Sequence, residues 1–121
     1  MSVSIGVDIV EIDRIRRVVE THGERFLKRV YAPAEVSFCS KRADRAACLA
    51  ARFAAKEAFR KAVASAPFVA WREILVVSGK DGAPSIQLPA DVSGRLGGTF
   101  CVSLSHSREH AVAVVLWEKH T

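Results

Sequence analysis

The sequence predicts a single α+β domain spanning residues 1–121, with an antiparallel sheet packed on one long helix and several short helices. Three observations carry this. Residues 3–10 alternate with a period of two. Residues from about 44 to 65 gather apolar side chains on one helical face. The second half of the chain holds short strand patterns divided by turn signals. One strand, then helices, then an antiparallel meander places the helices together on the sheet.

In the first strand Val3, Ile5, Val7 and Ile9 point one way, and Ser4, Gly6, Asp8 and Val10 the other. Aspartate is poor in strands, so Asp8 needs a reason to be there. Gly6, two residues earlier on the same face, leaves room beside it; an edge-strand carboxylate facing water is the plain alternative. Asp13 is positioned to cap a helix with Ile15, Val18 and Val19 inward, Arg14 and Arg17 outward, and Arg16 within reach of Glu20. Gly23 ends that helix. A second short helix turns Phe26, Leu27, Val30 and Tyr31 inward and Arg25, Lys28 and Arg29 outward. Pro33 opens a third helical piece with Val36 and Phe38. Lys41 and Arg42 follow in a loop, and Asp44 caps the long helix.

At 100° per residue, Ala46, Ala47, Ala50, Phe53, Ala54, Ala58 and Ala62 share one face of that helix, and Arg45, Arg52, Lys56 and Arg60 form a separate stripe. Glu57 falls inside the apolar face, where a carboxylate is costly unless paired. Lys61 lies one turn further on, in the favourable acid-to-base order. The two form either a structural ion pair or a working acid and base. Pro67 closes the helix region. Residues 73–78 and 85–88 read as strands about a Gly79-Lys80-Asp81-Gly82 turn. Residues 89–98 form a connector with one helical turn. Residues 100–105 alternate, with Cys101, Ser103 and Ser105 on one face, and residues 111–117 are apolar on both faces. Such a strand is covered on both sides, and in so small a domain one cover is another subunit.

Half of the 121 residues are apolar, which fits a globular chain with one modest core. No apolar run approaches membrane-spanning length, and the first residues read as a strand rather than a signal peptide. Cys39, Cys48 and Cys101 lack metal-ligand spacing and are expected to be reduced core thiols of a cytoplasmic protein. Residues 1–61 hold 13 Lys and Arg against 8 Asp and Glu, and residues 62–121 hold 5 of each, so the whole net charge of +5 lies in the first half. Such a surface suits an acidic partner or a phosphate-rich ligand. Nucleic acid is disfavoured because aromatic residues do not interleave with the basic ones. A structural oligomer without a site would leave two acids on apolar elements without purpose.

Brought together, Asp8 and Glu57 would offer hard oxygen ligands to Mg²⁺, with phosphate oxygens completing the shell. Lys61 could neutralise a phosphate or leaving group, and Arg52 suits a further phosphate. His106, at the end of a strand, could bind phosphate or transfer a proton. There is no zinc-ligand spacing, P-loop, dinucleotide fingerprint or nucleophile elbow.

Three stretches together, IGVDIVEIDRI at residues 5–15, ARFAAKEAFRKA at 51–62 and VSLSHS at 102–107, resemble the motifs of holo-(acyl-carrier-protein) synthase, the short bacterial type of 4′-phosphopantetheinyl transferase. The resemblance runs across nearly the whole chain. It implies that fold, and transfer of 4′-phosphopantetheine from coenzyme A to a serine of apo acyl carrier protein, with Mg²⁺ and release of 3′,5′-ADP, in fatty acid biosynthesis. It implies that Asp8 and Glu57 hold the metal, that Lys61 meets the reacting phosphate, and that Arg52, Pro84, Ser105 and His106 line the coenzyme A site. The base for the serine proton is Glu57 or a water on the metal. The family's Gly-basic-Pro near the coenzyme is here Gly82-Ala83-Pro84, so position 83 offers no phosphate contact. Arg14, Arg17, Arg25 and Lys28 suit docking to an acidic carrier protein. The resemblance further implies a homotrimer with sites between subunits.

Overall fold

β1 (Ser2–Glu11) forms one edge of a three-stranded antiparallel sheet, β5 (His110–Lys119) its centre and β4 (Thr99–His106) the other edge. Between β1 and β4 the chain runs through α1 (Ile12–Val30), α2 (Pro33–Ser40), α3 (Arg45–Ala62), a 3-10 turn at Trp71–Glu73, a hairpin of β2 (Leu75–Ser78) and β3 (Pro84–Gln87), and α4 (Ala90–Leu96). The computed structural model describes residues 2–120. The α+β class, the long helix and the antiparallel pairing follow the expectation. The meander does not form one sheet, because β2 and β3 pair only with each other.

α3 is the centre of the core. Asp44 Oδ1 accepts a hydrogen bond from the Ala47 N–H at 3.0 Å, which fixes where the helix starts. Ala50, Ala54, Ala55, Ala58 and Phe59 are completely buried. These small side chains let β1 lie directly on the helix backbone. Gly6 is the contact point: a Cβ there would stand 1.9 Å from the Ala58 carbonyl oxygen. The Ser4, Gly6, Asp8, Val10 side of β1 therefore faces α3.

The opposite side of β1 is open. Val3, Ile5, Val7 and Ile9 are 52, 63, 53 and 65 % exposed. They lie in register with β5 and β4, giving the rows Ile5–Leu116–Cys101, Val7–Val114–Ser103 and Ile9–Val112–Ser105. β5 buries Ala111, Ala113, Val115 and Trp117 against the core, but Val114 is 40 % exposed. The chain itself covers only one side of that strand.

Other expectations are corrected. α1 starts at Ile12, and Asp13 bonds Arg16 instead of capping, so Arg16 is drawn to Asp13 and Asp44 rather than to Glu20. The helix ends expected at Gly23 are a kink, where φ is 47° and ψ −124°. Cys39 and Cys48 are not free thiols: they form a disulfide with Cα atoms 5.4 Å apart, because the end of α2 and the first turns of α3 meet at a corner. Cys101 is free but exposed on β4 rather than in the core. Of the separate stripe expected on α3, Arg52 and Lys56 are buried, Arg52 against Phe38 and Ser78 and Lys56 against Glu35. Lys56 donates to Glu35 Oε1 at 2.6 Å, the Val30 carbonyl at 2.9 Å and the Trp71 carbonyl at 3.0 Å.

Candidate functional site

The close seating of Gly6 on α3 carries Asp8 to the C-terminal end of that helix. Lys61 Nζ donates to Asp8 Oδ1 at 3.1 Å and to the Val7 carbonyl at 2.9 Å. Lys61 is therefore paired with Asp8, not with Glu57 as an acid-to-base helix pair would be. Glu57, one turn earlier, is half-buried at the edge of the apolar face rather than in its middle. Its Oε1 accepts from Trp71 Nε1 and stands 3.6 Å from Arg60 Nη1. Among the described residues no donor reaches Asp8 Oδ2 or Glu57 Oε2. Each acid thus has one oxygen tethered and one free.

A second group lies in a cleft of about 560 Å³ whose lining includes Phe38, Arg42, Arg52, Ser78, Ser105 and His106. Arg52 and Arg42 both stack on one ring: each guanidinium carbon is 4.4 Å from the centroid of Phe38. Arg52 donates to Cys48 Sγ at 3.3 Å and Ser78 Oγ at 3.2 Å, while its buried Nε has no partner among the described residues. Burial lowers the Arg52 pKa, and the Glu35 carboxylate opposes that shift. Ser105 faces outward with the open side of the sheet, and His106 Nδ1 lies 3.2 Å from the Ser107 carbonyl oxygen. Pro84 does not line the cleft. It sits across from Ser78 in the hairpin, and Gly82 from the same turn reaches the lining instead.

Asp8, Glu57 and Lys61 do not line this cleft. Within one chain, Asp8 with Lys61, and Glu57 with Trp71 and Arg60, stand outside the lining of the arginine cleft. Arg14, Arg17, Arg25 and Lys28 are all exposed on α1.

Residues 4–115 match the 4′-phosphopantetheinyl transferase superfamily. The chain belongs to this superfamily. Its relatives there are holo-(acyl-carrier-protein) synthases. That of Anaeromyxobacter sp. (strain K) is 43 % identical over 125 residues, covering 98 % of this chain and 97 % of the relative. That of Chlamydia pneumoniae is 38 % identical over 117 residues, covering 94 and 95 %. The chain superposes on the crystal structure of the Helicobacter pylori synthase in complex with coenzyme A, with a TM-score of 0.85 at 30 % identity, over 94 % of this chain and 99 % of that one. This transferase superfamily member carries its first motif stretch on β1 and the start of α1, its second on α3 and its third at the end of β4.

Sequence reasoning missed Trp71, Arg60 and Glu35. Trp71 follows a Pro67 break without any periodicity, so nothing marked its indole N–H as a partner of Glu57. Glu35 lies in the first turn of α2, where its Oε1 accepts from the Ala32 N–H at 2.9 Å. The same oxygen also holds Lys56, and Oε2 accepts from the Val76 N–H at 3.1 Å.

Proposed function

We propose that the protein transfers the 4′-phosphopantetheine group of coenzyme A to a serine hydroxyl of an apo acyl carrier protein, with Mg²⁺, releasing 3′,5′-ADP, in fatty acid biosynthesis. The observation that carries this reading is the pair of half-free carboxylates. Among the described residues, Asp8 and Glu57 each keep one oxygen without a protein donor; the Lys61 ammonium is bonded to the first and lies one helical turn along α3 from the second. Mg²⁺ takes one or two carboxylates and fills its shell with waters and phosphate oxygens, so this donor set fits it. When bound, it supplies positive charge beside the diphosphate.

The chain's own groups do the rest. Lys61, half of whose side chain is exposed, offers its charge to the phosphate under attack. Arg52 and Arg42, stacked on Phe38, offer two guanidinium groups to the other phosphates. Of the two acids, Glu57 is the one not held by Lys61; its tethered Oε1 and free Oε2 suit it to the cation rather than to a proton. Arg14, Arg17, Arg25 and Lys28 present a basic surface to the acidic carrier.

In this reading the site is completed between copies of a homotrimer. Two features support it: Asp8, Glu57 and Lys61 are absent from the lining of the arginine cleft in one chain, and the open sheet face of Val3, Ile5, Val7, Ile9 and Val114 is a contiguous apolar surface. Among the described residues no helix is long and apolar enough to cross a membrane. A cytoplasmic location now rests on the substrates, because the Cys39–Cys48 disulfide removes the argument from reduced thiols.

The test is incubation with coenzyme A, Mg²⁺ and apo carrier protein, read by mass spectrometry. The carrier gains one phosphopantetheine, the gain disappears with chelator, and Glu57→Gln abolishes it while the fold is kept. Undiminished transfer by Glu57→Gln would remove Glu57 from the mechanism.

A further inference from the structure

Trp71 occupies an unusual position for a residue on a connecting turn. Its carbonyl oxygen is held by the buried Lys56 ammonium at 3.0 Å. Its ring lies under the Arg60 guanidinium, 4.2 Å from centroid to carbon, and against Phe53 with centroids 6.0 Å apart. Arg60 in turn donates through Nε to the Val69 carbonyl at 3.1 Å and covers Phe68 at 4.4 Å. Backbone and ring are thus fixed by three residues of α3, and among the described residues the indole N–H has a single partner, Glu57 Oε1. A donor so firmly placed orients the carboxylate it meets.

The geometry points to Trp71 as the positioning residue for Glu57: its indole N–H engages Oε1 and thereby presents Oε2 as the atom that takes the divalent cation. This rests on the metal-dependent reading of the site. It assigns to the Trp71 turn, which contributes no ligand of its own, control over how tightly the metal is held. Arg60 shares Oε1 at longer range, 3.6 Å, and keeps the indole in place by stacking.

Trp71→Phe tests the idea, since it keeps an aromatic ring beneath Arg60 and deletes only the N–H. Mn²⁺ binding is followed by electron paramagnetic resonance for wild type, Trp71→Phe and Glu57→Gln. We expect Trp71→Phe to bind Mn²⁺ about 10- to 100-fold more weakly than wild type. In transfer assays its half-saturating Mg²⁺ rises by a similar factor, while KM for coenzyme A at saturating Mg²⁺ stays within twofold. A variant that binds Mn²⁺ as wild type does overturns the inference and leaves the metal reading standing, provided Glu57→Gln has lost binding. A wild type that binds no Mn²⁺ overturns both. The chain has two tryptophans, and the Trp117 indole is engaged at the Gly97 carbonyl, 3.0 Å away. Magnesium added to wild type should therefore shift the Trp71 indole ¹H–¹⁵N signal and not that of Trp117. This second measurement needs no variant, and an unmoved Trp71 signal in the metal-bound protein overturns the inference even if Trp71→Phe fails to fold.

Discussion

Lys61 Nζ meets Asp8 Oδ1 at 3.1 Å across 53 residues of sequence, joining the C-terminal end of α3 to the strand that opens the chain. The contact is partly open to solvent, with the Lys61 side chain 56 % exposed and that of Asp8 19 %. An exposed ion pair contributes little to stability, about 1 kcal/mol at most. Lys61→Ala should therefore leave the denaturation midpoint nearly unchanged. The role proposed for Lys61 puts its effect on catalysis: without that cation the transfer rate should fall about 10²- to 10³-fold. Paired urea melts and carrier mass-shift assays check both halves, and a variant with wild-type turnover would refute the role given to Lys61.

Gly6→Ala probes how the acid is delivered. The added methyl would stand 1.9 Å from the Ala58 carbonyl oxygen and 2.8 Å from the Ala62 nitrogen, both backbone atoms that no side-chain rotation can move. Overpacking of this kind costs about 1–3 kcal/mol, and more where the backbone must shift. The same shift moves Asp8 off Lys61, so activity falls beyond what the unfolded fraction explains. Gly94→Ala is the control, because a methyl there meets nothing within 4 Å. Equal melting temperatures for the two variants would contradict the close contact.

Removing either member of the buried Glu35–Lys56 pair should cost about 3–5 kcal/mol, because the other charge is left without its partner. Replacing both by apolar residues should not restore stability. The pair also satisfies the Val30 and Trp71 carbonyls and the Ala32 and Val76 N–H groups, and buried backbone groups left unpaired are costly. Urea denaturation of the singles and the double separates the cases: a double variant as stable as wild type would show that the ion pair is dispensable to the joint between α2, α3 and the hairpin.

Tyr31 gives stability an alkaline limit. Burial is the main cause, and the Glu35 carboxylate adds to it, in raising its pKa far above the ordinary 10.0. Its hydroxyl donates to the Leu49 carbonyl at 2.7 Å, so the folded chain keeps the proton. The unfolded chain releases it near pH 10, and this contribution to stability is complete below that pH and declines above it, by about 1.4 kcal/mol per pH unit. Lys56 acts in the opposite sense: burial lowers its pKa, so its effect favours folding as pH rises toward 10.5. Tyr31→Phe isolates the falling limb. Tyr31 is the only tyrosine, so tyrosinate absorbance should appear only together with unfolding. Tyrosinate formed in folded protein would refute the assignment.

The period-two pattern of β1 was plain in the sequence, and so was the choice of Asp8, Glu57 and Lys61 as the residues to follow. The direction in which the strand faces was hidden. Apolar side chains ordinarily point inward, yet Val3, Ile5, Val7 and Ile9 point out, because a helix lined with alanine accepts a strand through its glycine rather than through bulky residues. The burial of Lys56 was equally hidden, since its partner Glu35 comes from another helix 21 residues earlier, outside any helical spacing. Cys39 and Cys48, nine residues apart, meet only because α2 and α3 turn a corner there. What periodicity on a single element can reveal was legible; what depends on two elements meeting was not.

Side chains on β1 alternate between a helix-facing side, with Ser4, Gly6, Asp8 and Val10, and an outward one, with Val3, Ile5, Val7 and Ile9. One residue inserted between Asp8 and α1 would trade them, setting Asp8 among valines on the open sheet and forcing a branched side chain against the Ala58 carbonyl. Point substitutions can tune either side separately, but a change in the spacing of this ribbon strikes both at a stroke.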